Sequence, residues 1–338
     1  MIRASSSLSL SSSLSLSLSL LLAAGCTSPH WSLPLAGIDR VPLSVAQGSA
    51  RDVWIAGGAL GSGGNALALH YDGSAWQRFD PGTDATLWWV DYSGGGDPWF
   101  VGERGTVLHG SSFTVEPVPT TATLYGVWVS AQGTVWVVGG EPDLSGVILR
   151  RPFGGAWQDL TPPGTTAAFF KVWGFRGLDE SNVWICGQDG ALLGWDGSAL
   201  NPVDTGLGRN VPLFTVNGRL PDDVYVVGGL GNAAVLHYDG GSWTRLDDAL
   251  FANLPGLTGV SVDGDGTAVL VGGSGTKVRG KPGAFVDESA FATHDDLHAA
   301  SIVDGELFTV GGNYLAPAPT PREGVVAHYG DDISSTVQ

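Results

Sequence analysis

The sequence predicts an all-β protein, a seven-bladed β-propeller of four-stranded antiparallel blades, and three observations carry that prediction. The first is composition. The 338 residues include 52 glycines and 13 tryptophans, with 43% hydrophobic and only 14% charged residues. Such a balance suits short strands and glycine turns around a large core; it excludes general disorder and argues against a helical bundle or coiled coil. The second is an internal repeat. Trp54, Trp99, Trp136, Trp184, Tyr225, Val269 and Phe308 are each followed three residues later by a glycine: Gly57, Gly102, Gly139, Gly187, Gly228, Gly272 and Gly311. Successive glycines are 45, 37, 48, 41, 44 and 39 residues apart, as expected of one unit with loops of unequal length. The third is a matching upstream register. Val45, Val90, Val127, Val216 and Val260 stand nine residues before the apolar position, with Ala299 assigned to the seventh repeat and Val172 to the fourth, where an insertion is expected near Asp179-Glu180-Ser181.

Each strand of the unit follows from these markers. The valines mark an inner strand. Turn residues such as Gln132-Gly133 and Gly264-Asp265-Gly266 separate it from the second strand, which carries the aromatic and the glycine. A third apolar run ends in His-Tyr-Asp-Gly at 70–73 and 237–240, and a fourth strand opens on Trp76, Trp157 or Trp243. Repeats of about 42 residues with four such strands are propeller blades. The seventh repeat, ending at His328-Tyr329-Gly330, lacks its fourth strand. Trp31-Ser32-Leu33-Pro34-Leu35 is the favoured candidate to supply it, with Ile333–Val337 as the competitor.

Residues 1–25 are read as a signal. Arg3, a Ser/Leu run and Leu20-Leu21-Leu22 precede Ala23-Ala24-Gly25-Cys26, an order that fits a secretory leader. The Cys after Ala-Ala-Gly resembles the lipobox of bacterial lipoproteins, which implies acylation of Cys26; Ala23 departs from the usual Leu. The expected organisation is a lipoprotein signal over 1–25, a short tether over 26–30 and the propeller over 31–338. The expected address is the bacterial cell envelope, lipid-anchored, with Thr27 leaning towards the outer membrane. A net charge of −17 excludes nucleic acid as a partner, and contact with a membrane is expected only through the lipid. The other cysteine, Cys186, sits in an apolar run and is read as a small core residue.

The run Leu124-Tyr125-Gly126-Val127-Trp128 with Val135-Trp136-Val137-Val138-Gly139 resembles BNR-like propeller repeats of the photosystem II assembly-factor type, and more closely similar repeats in secreted proteins and lipoproteins of myxobacteria. Gly-Gly pairs at 57/58, 139/140, 228/229, 272/273 and 311/312 give it a kelch-like cast. The resemblance covers nearly all of residues 31–330. It implies the fold and little of the function, because its motifs are core and turn residues.

Chemistry is sparse in the sequence. His70, His109, His237 and His328 share one repeat position, so they lie in different blades and do not converge on an ion. Asp263-Gly264-Asp265-Gly266 lacks the rest of a calcium loop and reads as a hairpin turn. Arg40, Arg176, Arg209 and Arg219 form no recognisable sialidase-type triad. No catalytic residue, metal site or cofactor is assigned. The one constellation of interest stands two residues before the inner-strand valines: Leu43, Trp88, Tyr125, Phe170, Phe214 and Thr258, with His298 in the seventh repeat. Aromatic platforms around a channel mouth would bind an unknown protein or glycan; the alternative is packing between blades. The expected function is a non-catalytic binding platform, monomeric. A hydrolase or lyase at the channel mouth and a structural or assembly role are the alternatives.

Overall fold

The structure is a computed structural model that describes residues 1, 28–60, 65–92, 96–176, 180–317 and 320–338. Cys26 and residues 2–25 of the expected leader lie outside them, as does Asp179 of the expected insertion. Among the described residues no helix is long and apolar enough to cross a membrane.

Seven four-stranded antiparallel sheets make up the fold. Blade one holds β2 (Val41–Ser49), β3 (Asp52–Gly58), β4 (Leu67–Tyr71) and β5 (Trp76–Phe79). Blades two to six repeat the pattern with inner strands β6 (Leu87–Asp91), β10 (Leu124–Val129), β14 (Phe169–Gly174), β18 (Leu213–Leu220) and β22 (Leu257–Val262). Blade seven runs β26 (Asp296–Val303), β27 (Glu306–Gly312) and β28 (Gly324–Gly330), and its fourth strand is β1 (His30–Ile38), paired antiparallel to β28. The Trp31 segment therefore closes the disc, as favoured above. Trp31 meets Tyr329 edge-on at 5.6 Å and donates its indole N–H to Glu288 at 2.9 Å. The competing segment has another place. Residues 334–338 lie along the outer edge of blade one, where the Trp76 amide donates to the Thr336 carbonyl and the Gln338 amide to the Trp76 carbonyl.

The core is not one mass but seven, each between two neighbouring blades. Val101 and Val107 of blade two meet Leu124, Val127 and Val137 of blade three, for example, and Val53, Ile55 and Trp76 of blade one meet Phe308 and Val310 of blade seven. Trp136 is fully buried as its repeat position predicts, and packs edge-on against Trp195 of blade four at 5.3 Å. Trp184, at the same repeat position, is only partly buried; it packs against Tyr238 and Trp243 of blade five. Cys186 is buried in the core between blades four and five, where loss of solvation pushes its thiol up to about 12.

The repeat glycine has a steric cause. It sits in extended backbone, so a left-handed conformation is not the reason; at Gly187, for instance, φ is −171°. A Cβ at Gly57, Gly139, Gly228 or Gly311 would instead stand 2.0 Å from a carbonyl oxygen of its own blade's first strand or of the residue leading into it, and the other three repeat glycines show the same clash at 2.2–2.4 Å. Directly after that carbonyl's strand-mate, each inner strand carries one extra residue. The pairs Leu124↔Gly139 and Gly126↔Val138 leave Tyr125 unpaired, and the same shift recurs in all seven blades. It is a β-bulge, which re-aims one side chain and bends the strand.

The bulge also fixes the register of the seventh repeat. His298 is the extra residue there, so Ala300, not Ala299, is the equivalent of the inner-strand valines; the two-residue turns at Ala50-Arg51 and Asp304-Gly305 are alike, but blade one carries a second extra residue, Gly48, before its turn and blade seven does not. Asp263-Gly264-Asp265-Gly266 forms the hairpin turn between β22 and β23 (Ala268–Gly272), and Asp263 accepts the amides of Asp304 and Gly305.

Candidate functional site

The seven bulge residues are Leu43, Trp88, Tyr125, Phe170, Phe214, Thr258 and His298, the same positions the sequence singled out. Six of them line one cavity of about 490 Å³ at one mouth of the central channel. Rings follow one another around it. Trp88 meets Tyr125 at 5.3 Å, Tyr125 meets Phe170 at 5.5 Å, and Phe170 meets Phe214 at 5.4 Å. On the other side Trp88 meets His298 at 6.0 Å, and His298 meets Tyr314 at 5.4 Å. The aromatic members are partly exposed, so this is an open cup and not a filled core.

Leu43 is the exception and corrects the expectation for it. Its side chain has no exposed surface and does not line the cavity. His298 Nδ1 hydrogen-bonds its carbonyl oxygen, and the His298 ring reaches past blade one to meet Trp88 of blade two. Thr258 reaches the cavity but has spent its hydroxyl, which donates to the Leu297 carbonyl at 2.6 Å. Thr215 donates to the Thr258 carbonyl in turn. Inner strands are sheet edges, and these side chains supply partners for backbone groups that no further strand can reach. Ser44 does the same for the Val90 amide and Asn217 for the Val262 amide.

Two sets of residues at the cup escaped the sequence reading. Tyr314, Leu315 and Leu230 come from loops outside the repeat; Leu230 and Leu315 are 75% and 70% exposed on the rim. Lys171, next to the Phe170 bulge, lines the cavity floor and is only 4% exposed. A charged residue inside the apolar run Phe169–Trp173 was the signal that would have found it. Burial drives its amine well below the ordinary lysine range. Burial, with the Lys171 charge second, holds the His298 imidazole down at about 4, so it is neutral near pH 7. With the proton on Nδ1, its Nε2 has no hydrogen-bond partner among the described residues. Loss of solvation raises the Tyr314 phenol.

The histidines of the third strands do different work. His70 stacks on Trp54 at 4.5 Å and His109 on Trp99 at 4.8 Å, each its direct cross-strand partner. Three of the four also bond a carboxylate at the start of the second strand: His70 to Asp52, His237 to Asp223 and His328 to Glu306. Among the described residues no cluster of three or more His, Cys, Asp or Glu has metal-binding geometry.

No family model matches the chain, and no curated protein matches its sequence. Solved propellers do match its shape. The WD40 propeller domain of Doa1 superposes with a TM-score of 0.65 at 10% identity, over 90% of this chain and 99% of that one. The virginiamycin B lyase of Staphylococcus aureus gives 0.52 at 14% identity, over 92% of each chain. YCF48 bound to a D1 peptide gives 0.50 at 14%, over 77% of this chain and 94% of that one. At such identities the likeness is one of fold.

Proposed function

We propose that this protein is a non-catalytic binding platform whose aromatic cup holds part of another macromolecule, a protein segment in preference to a glycan. The observation that carries the reading is the continuous wall of Trp88, Tyr125, Phe170 and Phe214 left open at one channel mouth. Open aromatic surface is costly to keep in water, and four neighbouring rings left partly exposed around one cavity have no packing reason to stay so. YCF48, a neighbour in fold, is seen with a peptide bound, and a role in assembly of a partner protein is compatible with the same cup. The Cys26 lipobox extends the proposal to a lipid-anchored protein of the bacterial envelope, in the outer membrane. Fatty-acid labelling that is lost in Cys26→Ser supports that address, and labelling that persists removes it.

A second reading, a hydrolase or lyase, rests on His298 at the cavity and on one neighbour in fold being a lyase. It is the weaker one. An imidazole held at about 4 is a poor proton acceptor near neutrality, where an efficient general base sits close to the working pH. The deciding experiment is selection from a displayed peptide library and a glycan array on wild type and on the Trp88→Ala/Tyr125→Ala double variant. Ligands kept by wild type and lost by the folded variant support the platform; equal retention by both overturns it.

A further inference from the structure

Beneath the bulge residues lies a second layer around the channel, formed by the residue after each bulge. In five blades it is small: Ser44, Gly126, Thr215, Gly259 or Ala299. The other two are Trp89 in blade two and Lys171 in blade four. Gly126 lies between them, and a Cβ there would stand 3.0 Å from the Lys171 Cα. Lys171 passes over this gap and sets its Nζ 2.7 Å from the centre of the Trp89 ring. The pair forms a floor across the channel. Lys171 faces the aromatic cup on one side and the remainder of the channel on the other.

This amine lacks what buried amines normally have. The contrast is internal to the molecule. Lys277 is equally buried, but its Nζ donates to the carbonyls of Gly275 at 2.7 Å and Thr293 at 3.2 Å, with Asp287 and Glu288 nearby. Among the described residues no hydrogen-bond acceptor and no carboxylate pairs with Lys171 Nζ; it lies on the Trp89 face, with the Cys186 thiol as its other neighbour. Such a contact does not replace an acceptor for a desolvated amine. An acceptor that arrives with a ligand completes the site.

The cup narrows what that ligand is. Its wall is aromatic and its rim carries exposed Leu230 and Leu315, so apolar groups surround the anion and continue outside the cavity. Trp88 and Tyr125 cross at 68° and Tyr125 and Phe170 at 77°, and only Phe170 and Phe214 come near to parallel at 29°, which makes a folded wall and not a continuous flat shelf for a sugar face. Asp296 at the rim, holding the Ser274 amide at 2.7 Å, disfavours further negative charge near the mouth.

We propose that the cup receives the free C-terminal end of an apolar peptide, whose carboxylate pairs with the Lys171 amine at the floor while its last side chains pack on Trp88, Tyr125, Phe170 and Phe214. The proposal rests on the binding-platform reading and adds an anion site to it. It is tested with N-acetyl-Leu-Phe-Leu as the free acid and as the amide, titrated into the full chain by calorimetry. Wild type should bind the acid at least ten-fold more tightly than the amide. In Lys171→Met, and in Lys171→Gln as a second variant, that preference should vanish, while the amide binds as before. Removing an unsatisfied amine should leave the melting temperature of Lys171→Met no lower than that of wild type.

Equal binding of acid and amide by wild type, or a preference that survives in both variants, overturns the anion site. The platform reading survives that result if amide binding still falls in Trp88→Ala, so the two failures are separable. No binding of either peptide, with Lys171-dependent binding of trigalacturonate instead, overturns the peptide assignment.

Discussion

The two sides of each inner-strand bulge obey different rules. On one side stands the repeat glycine, the same residue in all seven blades. On the other stands the bulged residue, which is Leu, Trp, Tyr, Phe, Phe, Thr and His in turn. The glycine is fixed because a carbonyl oxygen approaches to 2.0–2.4 Å of where its Cβ would be, in every blade. The bulged side chain meets no such demand, because the backbone aims it at the channel mouth. The fold therefore spends its sequence constraint on the glycine and leaves the facing position free to carry function. Leu43 is the instructive failure of that freedom: where a neighbour covers the bulge, the position reverts to core.

The comparison is broken most severely from the glycine side. Gly139→Ala should lose more than about 4 kcal/mol in urea unfolding, since its methyl meets backbone of the same blade and neither strand can yield alone. Gly264→Ala, where nothing lies within 4 Å, should stay within about 0.5 kcal/mol. If Gly139→Ala melts like wild type, the steric account of the repeat is wrong. Next in size is Leu43→Ala. A fully buried leucine lost to alanine should cost about 3 kcal/mol, and a cost near zero would put Leu43 back with the open members of the ring.

The same contrast explains what was legible in the sequence. The glycine and its aromatic partner recur at fixed spacing, so blade number, strand order and the closing role of Trp31 could be read from them. The ring positions were legible too, because they keep a constant offset from the valines. Their exposure was not: alternation along a strand tells which residues share a face, and a bulge shifts that count by one without any residue to announce it. Ala299 was misassigned because blade seven lacks the second extra residue that blade one carries before its turn, so a fixed count back from Phe308 lands one residue early. Lys171 was passed over because it sits in an apolar strand, and only the neighbouring Gly126 and Trp89 give its amine somewhere to lie. Tyr314, Leu230 and Leu315 belong to loops that no repeat describes.

A smaller effect comes from the imidazole that covers Leu43. Folding depresses His298 from 6.5 to about 4, chiefly through burial and then through Lys171, with Tyr314 and Asp296 on the same side of the cup. The unfolded chain then binds the proton more readily. The contribution is intact above about pH 6.5 and is lost as the pH falls towards 4, and His328, also depressed by burial, acts in the same direction. About 2 kcal/mol should disappear between pH 8 and pH 5 on account of His298. His298→Asn should flatten that part of the profile in denaturant titrations at each pH. An unaltered slope would mean that the ring is solvated at the mouth, and that Leu43 owes its burial to something else.

The smallest stability effect is expected where the functional effect is largest. Trp88, Tyr125 and Phe214 keep part of their surface in water, and their truncation opens a cavity that is already open. Trp88→Ala and Phe214→Ala should therefore cost only about 1 kcal/mol each, in contrast to Trp136→Ala, which empties a closed core site and should cost about 3–5 kcal/mol. The contacts between ring neighbours, edge-on for Trp88 and Tyr125 and stacked for Phe170 and Phe214, are worth about 0.5–1.5 kcal/mol per pair, which accounts for the residual loss. Peptide binding should fall in both cup variants and remain unchanged in any Trp136 variant that still folds. If Trp88→Ala destabilises as strongly as Trp136→Ala, the aromatic annulus is a seam between blades and its openness has no bearing on binding.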